Sequence, residues 1–323
     1  MSVSVLYAQL HSLPKNDYHH HFFLGARSGR MREIFAWNFV EFPQFLSSFW
    51  NQNSRKMSSV TAITRINDWI RTEYVPLMRG ENFLALTAQA VFEAARADHV
   101  KYLESSINVD FPGLLKLDVP EFLECLSEVR QCVAPDLCFG LDLGIRRTAE
   151  VESQFLWMRR FLEVRKDFES PLFRISGLDL YDVENTEEDE KFRKFYLLAG
   201  REGLKRKAHV GEFSSAETVQ KTVEMFDLQE VQHGIHAGES RKIAKWLAKK
   251  EIRLNISPAS NIMLDAINLM NEPISPLRVL YEEGVKLQLA TDDLLLFNQS
   301  ISEQGVWLVE QGIFSEVEIK NLI

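Results

Sequence analysis

The amino-acid sequence predicts a (β/α)8 barrel of the TIM type, with extra helices inserted after the first strand. Two observations carry this expectation. Short strand-like runs alternate with longer helical ones eight times, which is how a βαβα chain builds a parallel sheet. In addition, His19, His20, His21, His209, His233 and His236, out of only 8 histidines, lie at or just past the ends of three of those strands. A barrel gathers its strand ends on one rim. Taken alone, the alternation also fits a doubly wound sheet.

The first strand, 16–21 (NDYHHH), ends in histidines. Strands at 102–108 (YLESSIN), 137–143 (LCFGLDL) and 173–180 (FRISGLDL) follow, then 207–210, 230–233, 252–256 (IRLNI) and 285–291 (VKLQLAT). Between them, apolar residues recur at helical spacing over 81–97, 120–133, 151–166, 188–201, 215–226, 240–249 and 276–283. The gap from His21 to Tyr102 is too long for a simple crossover. It opens with Phe22, Phe23, Phe35, Trp37, Phe39, Phe42, Phe45, Phe49 and Trp50. Residues 22–80 are therefore expected to form inserted helices with a small core of their own. Long βα insertions on a barrel also build the mouth of its site, so a lid is expected there, with Phe22 and Phe23 nearest the histidines. The chain is expected to be one domain, 1–323.

Composition narrows the function. The chain is 46% hydrophobic and 26% charged, with a formal charge of −9. That balance argues against nucleic-acid binding and against an anionic membrane surface, both of which call for a basic face. Cys125, Cys132 and Cys138 form neither a disulfide framework nor a zinc ribbon. No secretory leader or membrane-spanning run is visible, so a cytoplasmic protein is expected. Oligomeric state is left open.

On a strand, alternate side chains share a face, so His19 and His21 point together and His20 points away. Two adjacent imidazoles make half a site for a divalent metal. His209 ends the fifth strand, and Asp292-Asp293 follow the eighth in ATDDLLLF. Singly, each has a plainer explanation: a histidine run can be a solvated turn, and Thr-Asp-Asp a helix N-cap. Their joint placement at strand ends argues for a site. One ambiguity stands. VQHGIHAGES contains His236-Ala237-Gly238-Glu239, a near copy of His209-Val210-Gly211-Glu212.

In order, these motifs resemble the adenosine deaminase family of the amidohydrolase superfamily. LPKNDYHHH is similar to that family's opening L-P-K-x-E-L-H-x-H, HVGE to its H-A-G-E, and QHGIH to its G-H-G-x-H. ATDDLLLF is similar to its closing T-D-D-P-x-x-F, and ISGLDLYDVE to its G-x-D-L-x-G-x-E. The resemblance implies a barrel that binds one zinc ion per chain. It would deaminate the exocyclic amine of a purine or purine nucleoside, adenosine-like or modified, to the 6-oxo product and ammonia. It also separates the two copies: the family's spacing from the H-A-G-E glutamate to the G-H-G histidine matches Glu212 to His233, and no histidine follows His236.

The resemblance implies His19, His21, His209 and Asp292 as metal ligands, Asp292 also serving catalysis. It implies Glu212 as a protonated acid that donates to a ring nitrogen, and His233 as the group that orients water. Asp293, Asp182, Phe23 and Gly211 would meet the substrate. His236 would stand one step removed from the metal. Glu239 is expected as a first-turn acid or capping residue of the following helix. Two positions depart from the family. Phe23 stands where an acid normally reaches the sugar 5′-hydroxyl, with Gly25 one place late, and Asp182 replaces a glycine that approaches the purine. Either specificity is altered or the local alignment hides an insertion. Arg27, Arg30 and Arg32 either meet an anionic substituent or are helix-start charges. Two other readings remain: a hydrolase of another amine or amide, and a non-catalytic ligand-binding barrel.

Overall fold

The structure, a computed structural model, describes residues 2–35, 59–78, 82–184, 186–266 and 275–323. Eight parallel strands form one sheet in chain order. They are β1 Lys15–Asp17, β2 Val100–Asn108, β3 Cys138–Arg146, β4 Phe173–Tyr181, β5 Lys205–Val210, β6 Glu230–His233, β7 Arg253–Ile256 and β8 Lys286–Leu289. Helices run between them, and the sheet curls into a nearly closed barrel. Isolated bridges His20 to Asp292 and His21 to Ser106 hold the seam. There Asp292 N donates to His19 O at 2.9 Å. Asp17 locks the same seam, accepting from Thr291 Oγ1 at 2.5 Å and from His19 N at 3.3 Å.

Strand periodicity explains what faces inward. On β5, Lys207 and His209 enter the barrel and bond there, while Ala208 and Val210 alternate with them and join the apolar core. That core lies between sheet and helices and includes Phe22, Phe92, Phe139 and Phe173, all buried. Among the described residues, reciprocal capping boxes start three of the helices: Asp118 with Glu121 before Val119–Val133, Ser300 with Glu303 before Ile301–Glu310, and Ser315 with Glu318 before Glu316–Ile319.

Some expected boundaries shift. The first strand is laddered only over Lys15–Asp17, because the chain leaves the regular register to carry its histidines inward. The helix expected at 188–201 divides into a 3-10 segment, Thr186–Phe192, and an α-helix, Arg193–Arg201. In the 22–80 region the described residues do form helices: Phe22–Leu24, Ser28–Phe35, Ser59–Trp69, Ile70–Tyr74 and Val75–Leu77. Trp37, Phe39, Phe42, Phe45, Phe49 and Trp50 lie outside the described residues. Among the described residues, no helix is long and apolar enough to cross a membrane.

Candidate active site

Four side chains, two from just past β1, one from β5 and one from just past β8, converge where the strands finish. His19 Nε2 and His21 Nε2 lie 3.0 and 3.2 Å from His209 Nε2. Asp292 Oδ1 lies 3.6 Å from His19 Nε2 and 3.5 Å from His21 Nε2. The donor atoms of His19, His21 and His209 fall within 4.8 Å of one another, so together they could hold a metal ion. Overlapping sets with His233 and with Asp293 could do the same. Burial, with the neighbouring imidazoles, pushes His19 and His233 well below the ordinary histidine range, and His21 down to about 3. Three imidazole nitrogens brought together beside a carboxylate suit a cation. Three imidazoles and one carboxylate form a donor set that zinc accepts.

Neighbours fix these rings. His209 Nδ1 bonds Asp179 Oδ1 at 3.2 Å, and Asp179 Oδ2 accepts from Ser106 Oγ at 2.5 Å. Burial alone would raise the Asp179 carboxyl, but the His209 ring and these bonds hold it well below its usual range. A carboxylate behind a ligating imidazole sets its tautomer and orientation. His20 faces the other way, bonding Ser105 Oγ at 2.7 Å and the Gly25 carbonyl at 3.0 Å. Gly25 is required there, since a Cβ at that position would lie 1.8 Å from the His20 ring.

Glu212 sits on the loop after β5, buried. Its Oε2 is 3.5 Å from His233 Nε2. Burial raises its pKa well above the ordinary value, and Asp292, Glu184 and Asp293 add to the effect. Gly211 turns the chain into this loop at φ +75°, and a Cβ there would meet Val219 at 2.3 Å. Glu184 holds the loop from behind, accepting from Gly211 N at 2.5 Å, Phe213 N at 2.8 Å and the Ser214 hydroxyl. His233, the last residue of β6, and Asp292, three residues past β8, both adopt left-handed backbone, at φ 64° and 60°.

A cavity of about 630 Å³ opens beside this cluster. Its walls include His21, His209, Glu212, His233, Asp292 and Asp293, with Phe23, Asp182 and many apolar side chains. Asp293 Oδ1 is buried with no hydrogen-bond partner among the described residues. Phe23 is stacked on Phe111 at 4.0 Å, so the wall there is apolar. Asp182 stands at φ 87°, backbone that favours glycine, and its carboxylate accepts from Asn67 Nδ2 at 3.1 Å, Val183 N at 2.8 Å and the Thr148 hydroxyl. Gly211 lies behind the lining, shaping the Glu212 loop.

Other expected residues fall elsewhere. His236 pairs with Glu239 at 3.1 Å and with the Ala266 carbonyl at 3.1 Å, away from the imidazole cluster. Glu239 does not cap the next helix: Ser240 does, accepting from Ile243 N. A hydroxyl directly before the first turn outcompetes a longer acid one place earlier. Arg27 pairs with Glu303 and Arg30 with Glu93, both outside the cavity lining. Asp17, Asp179, Glu184 and Asn261 shape the site without having been anticipated. Asp17, Asp179 and Glu184 had a signal, as acid positions of the LPKNDYHHH and ISGLDLYDVE segments, and Asn261 had none.

The family model described as adenosine deaminase matches residues 14–323. A protein of Treponema pallidum that carries the name adenosine/adenine deaminase is 31% identical over 316 residues, spanning 97% of this chain and 96% of its own. Among solved structures, an Arabidopsis N6-mAMP deaminase superposes with a TM-score of 0.77 at 20% identity, covering 98% of this chain and 92% of that one. A Burkholderia ambifaria amidohydrolase with bound Zn gives 0.76 at 19% identity, covering 98% and 85%. These two likenesses bear on the fold.

Proposed function

We infer the function from one premise: the chain belongs to the adenosine deaminase family, hydrolases that act on purine C–N bonds. We propose that it is a zinc-dependent aminohydrolase of a purine or purine nucleoside, releasing ammonia and the 6-oxo product. His19, His21, His209 and Asp292 would hold one zinc ion per chain. When bound, that ion supplies an activated water near neutral pH. The residues supply the rest. Glu212, kept protonated by burial among carboxylates, donates to a ring nitrogen and makes the adjacent carbon electrophilic. His233 orients the attacking water. Asp293, with an oxygen buried and unpartnered among the described residues, meets a second ring nitrogen. The observation that carries this reading is Glu212, a buried acid on the cavity wall 3.5 Å from His233, its pKa raised by that burial.

The substrate we favour carries no phosphate. Among the described residues, the cavity's arginines, Arg146 and Arg71, are paired with Asp110 and Asp68, and its wall at Phe23 is apolar. Asp182 would shape the pocket through its backbone, its carboxylate being committed to Asn67 and Thr148. The helices within 22–80 would act as a lid on a single-domain cytoplasmic enzyme. The test is zinc content, then ammonia release from adenine, adenosine, deoxyadenosine, N6-substituted and 5′-modified nucleosides, and from their 5′-monophosphates. Release from none of them by the zinc-loaded protein would overturn the proposal. Release from monophosphates alone would overturn the substrate choice.

A further inference from the structure

We propose that Asp182 turns Asn67 and Thr148 into a wall that recognises hydroxyl groups on the part of the substrate beyond the base. All three side chains line the cavity beside the imidazole cluster. Asn67 comes from the inserted helix Ser59–Trp69, Thr148 from the loop after β3, and Asp182 from just past β4. Asn67 Nδ2 donates to Asp182 Oδ1 at 3.1 Å, and the Thr148 hydroxyl donates to Asp182 Oδ2. Val183 N reaches Oδ1 as well, at 2.8 Å. The wall begins close to the catalytic groups: Tyr181, the residue before Asp182, has its ring 4.9 Å from that of His21.

A carboxylate only accepts, so it turns the amide nitrogen of Asn67 toward itself and takes the one hydroxyl hydrogen of Thr148. Asn67 is left offering Oδ1, and Thr148 the lone pairs of its oxygen. Both are uncharged acceptors. A hydroxyl is the neutral donor that fits them, whereas an oxygen without hydrogen meets lone pair against lone pair. The backbone marks the position too. Asp182 stands at φ 87°, where glycine rests more easily, yet a side chain is kept there. Size agrees: about 630 Å³ is room for a ligand larger than a bare purine. That the base itself lies against Glu212 and Asp293 rests on the aminohydrolase reading above. Asp182 is then a positioning residue, and Asn67 and Thr148 are the groups that meet the hydroxyls.

Calorimetry on the zinc-loaded protein tests this with hypoxanthine, inosine and 2′,3′,5′-trideoxyinosine, 6-oxo compounds with no amine left to lose. Inosine should bind about tenfold more tightly than its trideoxy form. Equal affinities for that pair, or no binding by any of the three, overturn the proposal. In Asp182→Gly the preference should fall to within about threefold, with hypoxanthine held within about twofold of its wild-type affinity. A preference that survives there, or hypoxanthine weakened as much as inosine, overturns the role given to Asp182. Should that variant not fold, Thr148→Val at the exposed rim decides. It removes one acceptor and should cut the preference by about threefold, and an unaltered preference overturns the proposal. None of these measurements needs turnover. A preference for inosine in a protein that takes no amine from adenosine would keep the wall and drop the deamination. Ammonia from adenosine without that preference would do the reverse.

Discussion

Two layers of buried polar groups are stacked inside the barrel, and they solve the same problem differently. The lower layer is built around Lys207, which bonds Glu104 and Asp142 and lies 3.8 Å from Glu230, all buried. Lys205 and Arg253 add pairs to Glu104 and Glu230. The upper layer uses the next inward positions of the same strands: Ser106 above Glu104 and His209 above Lys207. There three imidazoles and Asp292 turn toward one point. The lower layer carries its own cation on a side chain, and the upper is shaped to receive one. Burying charge is costly unless it is paired. In this barrel the pairing is covalent to the chain in one layer and left to a ligand in the other.

Experiments that separate the layers break or sharpen this contrast. The largest effect should come from Glu212→Gln in the upper layer: turnover down by more than about a thousandfold, with metal content unchanged. Loss of metal in that variant would mean that the carboxylate belongs to the binding set. Next is Lys207→Met, which strands carboxylates without their central cation and should cost about 3–5 kcal/mol in a denaturant titration. An undiminished midpoint would show that the lower layer re-pairs without it. Chelation is the upper layer's counterpart. At an ion concentration of a hundredfold over Kd, removal should lower stability by about 3 kcal/mol, and an unchanged Tm would sink the contrast.

A smaller effect comes with acid. Burial pushes Glu230 up, but Lys207, Arg253 and Lys205 outweigh it and hold the carboxyl down to about 2, against an ordinary 4.5. The folded pKa is depressed, so the stability it contributes is present above pH 4.5 and drains away as pH falls toward 2. The difference between wild type and Glu230→Gln should therefore shrink over that window. The smallest effect belongs to Glu239→Gln, expected to leave turnover within about twofold and stability within about 0.5 kcal/mol. A loss rivalling that of Glu212→Gln would reverse the choice between the two His-x-Gly-Glu copies.

Much of the barrel was legible because its signals are local. Alternation, helix periodicity and histidines at strand ends are written in neighbouring residues, and the eight strands fall where those signals put them. His19, His21, His209 and Asp292 came through the same route. What escaped depends on contacts across the chain. Asn261 lies in an unremarkable SPASN turn and gains meaning only 3.0 Å from His233. Asp17 is legible as an acid position of LPKNDYHHH, but its bond to Thr291 is not. The role expected of Glu239 failed for a local reason, the competing hydroxyl of Ser240. Phe23 was read as a missing polar contact. Its stacking on Phe111 makes the cavity wall there aromatic, a contact made across the chain.

The run His19-His20-His21 would read almost the same after a slip of one residue, which would swap inward and outward rings. The fit between the His20 ring and Gly25 prevents that slip, because the outward ring occupies the space a side chain at 25 would need. Positions 20 and 25 therefore form a lock and its notch. A methyl group at 25 would evict the ring, and a bulkier residue at 20 would strike the backbone of 25. In related chains the two should change together or not at all, five residues apart in sequence and inseparable in space.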